Sequence, residues 1–172
     1  MKSRLYIVFI IIILFLMAFL QSDFFYWLRI FGTRPDFLLI TCGLLGFYTV
    51  GKYYTSFCCS VFAGITAGAF SSCSALLFVI IYSISSFLGF VFRDKRYSSS
   101  SWFLLLFSCL LSFVSSFVYS VVLLFLNKLH SPLDMFFYFV AQCFLNSLII
   151  YPLACLIRLF TMTKNPFLDF KN

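Results

Sequence analysis

The acid–base inventory of this chain is short: five aspartates, one histidine and no glutamate in 172 residues. The aspartates are Asp23, Asp36, Asp94, Asp134 and Asp169, and the histidine is His130. They offer no carboxylate pair for general acid–base work, no Ser/His/Asp set and no glycine-rich phosphate loop. All seven cysteines, Cys42, Cys58, Cys59, Cys73, Cys109, Cys143 and Cys155, fall within or beside apolar segments and form no C-x-x-C pair. With one histidine they make neither a zinc site nor a disulfide framework, and they read as small hydrophobes. The expected protein is non-enzymatic and carries no cofactor or metal.

What remains is packing and hydrogen-bonding chemistry. Ser60, Gly64, Gly68 and Ser72 recur every four residues, with Ala63 and Ala67 alongside. That spacing makes a narrow helix face on which a second backbone can come close. Ser108, Ser112, Ser116 and Ser120 repeat the spacing as a hydroxyl stripe. The two faces are expected to serve close packing inside the bundle, with contact between the two faces or with a partner protein as the other readings, and Phe62 and Phe70 are expected to turn to lipid. Gln142 and Asn146 lie four apart, followed by Pro152, and amides within a span tend to face protein. The stretch "GTRPDFLLITCGLLGF" sets Arg34, Pro35 and Asp36 against an apolar run. Proline suits a helix's first turn and a carboxylate there meets the positive end of the helix dipole, so Pro35 and Asp36 read as a helix entrance at the external membrane surface. No aspartate is expected mid-span. Buried ionisable groups mark proton relays and ion pathways, so their absence argues against a proton-coupled carrier.

The elements that must hold these residues follow from composition. The chain is 63% hydrophobic and only 10% charged, with a mean hydropathy of +1.09, where a soluble domain carries about 25% charge. It is expected to be an all-α integral membrane protein, one domain over residues 1–172. Six segments have the apolar length for helices: residues 5–20, 35–51, 53–71, 74–92, 102–126 and 135–160. The first follows Lys2 and Arg4 and lacks a small-x-small cleavage site, so it is expected to stay as an uncleaved span. The uncharged run from Tyr53 to Phe92 is 40 residues. As one helix it would be about 60 Å long against a hydrocarbon core of about 30 Å, so it must turn, at Ser71 to Ser74.

The net charge of +7 is spread between apolar spans rather than gathered into a nucleic-acid patch. With both termini cytoplasmic, nine Lys and Arg residues fall inside and three, Arg29, Arg34 and Lys128, fall outside, as the positive-inside rule requires. Trp27, Tyr48, Tyr53, Tyr54, Tyr97 and Trp102 sit near the expected span ends as an interfacial belt would.

The order of these features, from the basic start through "LQSDFFYWLRIFGTRPDFLLI", a glycine-bearing third span and a basic loop to "FLNSLIIYPLACLIRLF", resembles the bacterial rod shape-determining protein family MreD across nearly the whole chain. In that family a Pro-Asp pair opens the second helix, matching Pro35 and Asp36. A small polar residue precedes an apolar-Pro sequence in the last helix, matching Asn146 and Pro152. The family often has an aspartate after the glycine of the third span, where this chain has "AGITAGAF" with Gly68. The resemblance implies six transmembrane helices in one bundle, similar in fold to the S components of energy-coupling factor transporters. It also implies a multi-pass subunit of the bacterial cytoplasmic (inner) membrane that supports lateral peptidoglycan synthesis. The implied partners are an MreC-like bitopic protein and, through it, MreB and peptidoglycan synthases, besides the lipid bilayer, with no nucleic acid. The alternative is a substrate-binding S component of a vitamin transporter. Such proteins usually carry an Ala-x-x-x-Ala docking motif in the first helix, where this chain has only Ala18.

Overall fold

The computed structural model describes residues 2–22, 33–48, 53–70, 74–93, 101–125 and 132–162. Six helices follow in order: α1 (Lys2–Ser22), α2 (Phe37–Tyr48), α3 (Tyr53–Ala69), α4 (Ala75–Phe92), α5 (Ser101–Phe125) and α6 (Pro132–Met162). All of these elements are α-helical. Three helices, α4, α5 and α6, are long and apolar enough to cross a membrane. Tyr48, Tyr53, Tyr54 and Trp102 lie at helix ends, while Trp27, Tyr97 and residues 71–73, with Ser72 and Cys73, lie outside the described residues.

α2 is the centre of the molecule. Its sequence, "FLLITCGLLGFY", carries no charged side chain and so has no face to turn to water. A helix apolar all round belongs in a core, and every residue from Phe37 to Phe47 is buried. α2 touches each of the other five helices. Its closest partner is α4. Asp36 meets Tyr82, Leu39 meets Ser85 and Gly43 meets Gly89, an offset of 46 residues throughout, so the two helices run in the same direction. They approach backbone to backbone: a Cβ on Gly89 would strike the Gly43 carbonyl, and one on Gly46 the Ser86 carbonyl. Where lipid supplies no hydrophobic drive between helices, such contacts are a main source of association.

α3 lies antiparallel to α4 on the small-residue face expected from the sequence. A Cβ on Gly64 would sit 2.5 Å from Val79 Cα, and one on Gly68 would overlap Ala75. Along their described lengths the two narrow faces do not meet each other. α3 gives its face to α4, whereas α5 gives its serine stripe to α6, with Ser108, Ser112 and Ser116 opposite Ser147, Asn146 and Gln142. Phe70 is exposed, as a lipid-facing ring should be, but Phe62 is partly buried against the core. Phe62 flanks the narrow face closely enough to be drawn in. α5 and α6 form a hairpin that leans on α2, and α4 and α6 do not pack on one another along their described lengths.

Candidate functional site

The residues with hydrogen-bonding chemistry converge at the start of α2. Asp36 caps that helix: Leu39 N–H donates to its Oδ1 at 2.9 Å, the usual N-cap arrangement of a short acidic side chain and the third helical amide. The same oxygen accepts from Tyr82 Oη at 3.2 Å and from Gln21 Nε2 at 3.2 Å. Gln21 closes a loop by accepting from Leu38 N–H through Oε1 at 3.3 Å. On the other side, Asp36 N–H donates to Asn146 Oδ1 at 3.0 Å, and Asn146 Nδ2 donates to Ser112 Oγ at 2.8 Å. Ser112 Oγ donates in turn to the Ser108 carbonyl. One connected network therefore ties α1, α2, α4, α5 and α6 around a single carboxyl group. Tyr82, Asn146 and Ser112 are fully buried and Asp36 is 9% exposed.

The depth of this site corrects the expectation for Pro35 and Asp36. Helix entry is where the sequence puts it, with Pro35 one residue before the cap rather than in the first turn. The entrance is not at a surface. Asn146 stands 14 residues after Pro132 and 16 before Met162, about 20 Å along α6 from either end at 1.5 Å per residue. Tyr82 is seven residues into α4, about 10 Å from its start. α2 thus begins inside the bundle. An aspartate does lie within it, and the case against proton-coupled transport that rested on finding none loses its premise.

Buried polar groups in such a place need partners, because an unpaired one costs about 1–3 kcal/mol. Oδ1 of Asp36 is used three times over, and both ends of the Asn146 amide are used. The chemistry this arrangement performs is clamping. It holds the N-terminus of a buried helix at a fixed height against four neighbours. The other candidate residues extend the clamp. Ser116 Oγ donates to Gln142 Oε1 at 2.8 Å, Ser108 and Ser147 share a bond at 2.9 Å, and Ser120 bonds back to the Ser116 carbonyl. Ser60, fully buried, bonds to the Phe57 carbonyl within its own helix. Pro152 is exposed in α6, away from the clamp. Among the described residues no cluster of three His, Cys, Asp or Glu side chains is placed to hold a metal ion.

Sequence reasoning missed Tyr82, Gln21 and the Ser56–Ser86 hydroxyl pair, 2.6 Å apart between α3 and α4. Tyr82 had a signal. It is a lone phenol in the middle of "FVIIYSISSFLGF", and a buried tyrosine hydroxyl usually finds a partner. Gln21 sits at the end of a long apolar run, where nothing local distinguishes a clamp from a boundary residue. No protein-family model, curated protein or solved structure matches the chain.

Proposed function

We propose that the chain is a non-enzymatic, six-span subunit of a bacterial cell-elongation complex of the MreD type. In this reading it resides in the inner membrane with both termini cytoplasmic and supports lateral wall synthesis through an MreC-like bitopic protein. The observation that carries the reading is the Asp36 N–H to Asn146 Oδ1 bond, which joins two motif positions 110 residues apart. Residues that recur in the family's helices are here spent on locking α2 to α6, which is what a scaffold requires of them and what a catalytic or transport centre would leave free for substrate. The outward faces of α5 and α6, rich in exposed Phe, Leu and Val side chains, leave ample surface for lipid and for a single-span partner helix. The test is co-purification of the full chain from native membranes, with identification of what comes with it. A bitopic MreC-like protein recovered in stoichiometric amount supports the proposal. Recovery of an ATPase pair and a transmembrane coupling subunit instead would replace it with the transporter reading.

A further inference from the structure

A cavity of about 340 Å³ opens in the gap between α4 and the α5–α6 hairpin, with Asp36 in its lining. Leu77, Phe78 and Ile81 of α4 form one wall, and Ser116 and Ser120 of α5 with Gln142 of α6 form another. Leu77 is the third residue of α4, Met135 the fourth of α6 and Ser120 the sixth from the end of α5. The cavity therefore runs inward from the end of the bundle where α4 and α6 begin. Asp36, bonded to Tyr82 about 10 Å into α4, lies at its inner end.

The two oxygens of that carboxyl do different work. The bonds from Leu39 N–H, Tyr82 and Gln21 all reach Oδ1. Oδ2 accepts none of them, and it is not among the side-chain atoms sealed off in the interior without a partner. In a residue that lines the cavity and is 9% exposed, Oδ2 is the oxygen left to that space. The clamp on α2 does not need it.

The oxygens nearby also accept. Ser116 Oγ donates to Gln142 Oε1 and Ser120 Oγ donates to the Ser116 carbonyl, so with their hydrogens engaged both hydroxyls offer a guest only lone pairs. Gln142 Oε1 keeps a second lone pair. Arg34, Tyr119 and Tyr138 line the cavity too, and each already has a partner in the protein. Arg34 is partly exposed while Asp36 is buried, so salt and water screen the guanidinium more than the carboxylate. The inner end of the cavity is negative, and in a medium of low dielectric that sign decides which guests enter.

An acceptor-rich, negative lining asks for a guest that donates and is positive. A primary ammonium has three N–H donors and no acceptor. At roughly 30 Å³ per water displaced, about 340 Å³ leaves a bare alkali ion most of the space unfilled and suits a body of about a dozen heavy atoms or fewer. Leu77, Phe78 and Ile81 give its carbon atoms a wall.

We propose that the cleft between α4 and the α5–α6 hairpin is a binding site for a primary ammonium group on a short organic body, received by Asp36 Oδ2. The same chemistry is offered by a free amine and by the head of an aminophospholipid. The second can arrive sideways, because α4 and α6 do not pack on one another along their described lengths. The site stands apart from the assembly role, because it is read on the chain alone.

The experiment uses the full chain in nanodiscs of phosphatidylcholine and phosphatidylglycerol in sodium phosphate buffer. Ethanolamine is titrated in solution in one arm, and phosphatidylethanolamine replaces phosphatidylcholine in graded amounts in the other. Choline chloride, which has the charge but no N–H, ethylene glycol, which has neither, and potassium chloride are the comparisons. The readouts are calorimetric titration and the thermal unfolding midpoint. Saturable binding and a raised midpoint are expected with at least one primary amine and with none of the comparisons, and the arm that responds identifies the source. Asp36→Asn keeps an oxygen for the three donors of the clamp and replaces Oδ2 by a donor, so it should fold and bind the amine about ten- to hundredfold more weakly, the loss of a hydrogen bond between charged groups. Ser120→Phe leaves Asp36 in place, narrows the cavity and should also weaken binding; it decides if the asparagine variant fails to fold. The proposal is overturned if neither amine binds saturably, if any comparison binds as well as the amines, or if the folded variants bind with wild-type affinity.

Discussion

Replacing Asp36 separates a surface helix entrance from a buried clamp. At a membrane surface, Asp36→Ala would lose only a dipole contact of about 0.3–1 kcal/mol. Inside the bundle it removes the N-cap bond to Leu39 N–H and the bonds to Tyr82 and Gln21. Loss of an N-cap costs about 1 kcal/mol, and an interhelical side-chain bond in a membrane protein averages about 0.6 kcal/mol. Tyr82 is fully buried and keeps only the Gln21 amide beside its hydroxyl, so part of the penalty of about 1–3 kcal/mol for an unsatisfied group is added. The expected sum is about 2–4 kcal/mol. Asp36→Asn retains an oxygen that can accept from the same three donors, and should cost under about 1 kcal/mol by the same reckoning. The assay is reversible denaturant unfolding of the purified chain in lipid–detergent micelles, followed by far-ultraviolet circular dichroism. An alanine variant within 1 kcal/mol of wild type, or an asparagine variant as unstable as the alanine one, would refute the clamp.

Three further outcomes follow from the same geometry. Tyr82→Phe removes one donor while leaving the ring in place and should cost about 0.6–1.7 kcal/mol in the same unfolding assay. Gly64→Leu drives a side chain into the backbone at Val79 and should destabilise by about 1–3 kcal/mol, whereas Phe70→Leu on the exposed side should fall within about 0.5 kcal/mol of wild type. Thiol labelling in a cysteine-free background, with single cysteines at positions 99 and 131, should report opposite sides of the membrane, and labelling from the same side would remove the six-span arrangement.

The sequence made the helices legible because their signal is local. Apolar length, the run without charge from Tyr53 to Phe92 and the punctuation of serine, proline and basic residues are all read along the chain. The i, i+4 faces of α3 and α5 were legible for the same reason, and so was helix entry at Pro35 and Asp36. Depth was not. A Pro-Asp pair before an apolar run has the same local form at a surface and inside a bundle, because the cap geometry is satisfied within four residues in both cases. What distinguishes them is Asn146, 110 residues away, and Tyr82, 46 residues away. Nor does periodicity say which narrow face meets which. α3 met α4 and α5 met α6, the sequence neighbours, with α2 taking the centre.

The central place of α2 also explains why an otherwise apolar bundle carries so many polar contacts. Apolar side chains in lipid gain little by choosing one neighbour over another, so a short, uncharged helix such as "FLLITCGLLGFY" has nothing in its side chains to fix its height or rotation. Hydrogen bonds do fix them. Asp36 sets the height of the first turn, Ser85 grips the Leu39 carbonyl one turn on at 2.9 Å, and the contact of Gly43 with Gly89 admits only a close-packed register beyond that. Sliding α2 by a single residue, about 1.5 Å, would break the first two together and bring Cβ-bearing residues against the α4 backbone. The polar groups contribute modest stability one by one, but together they leave the buried helix a single position.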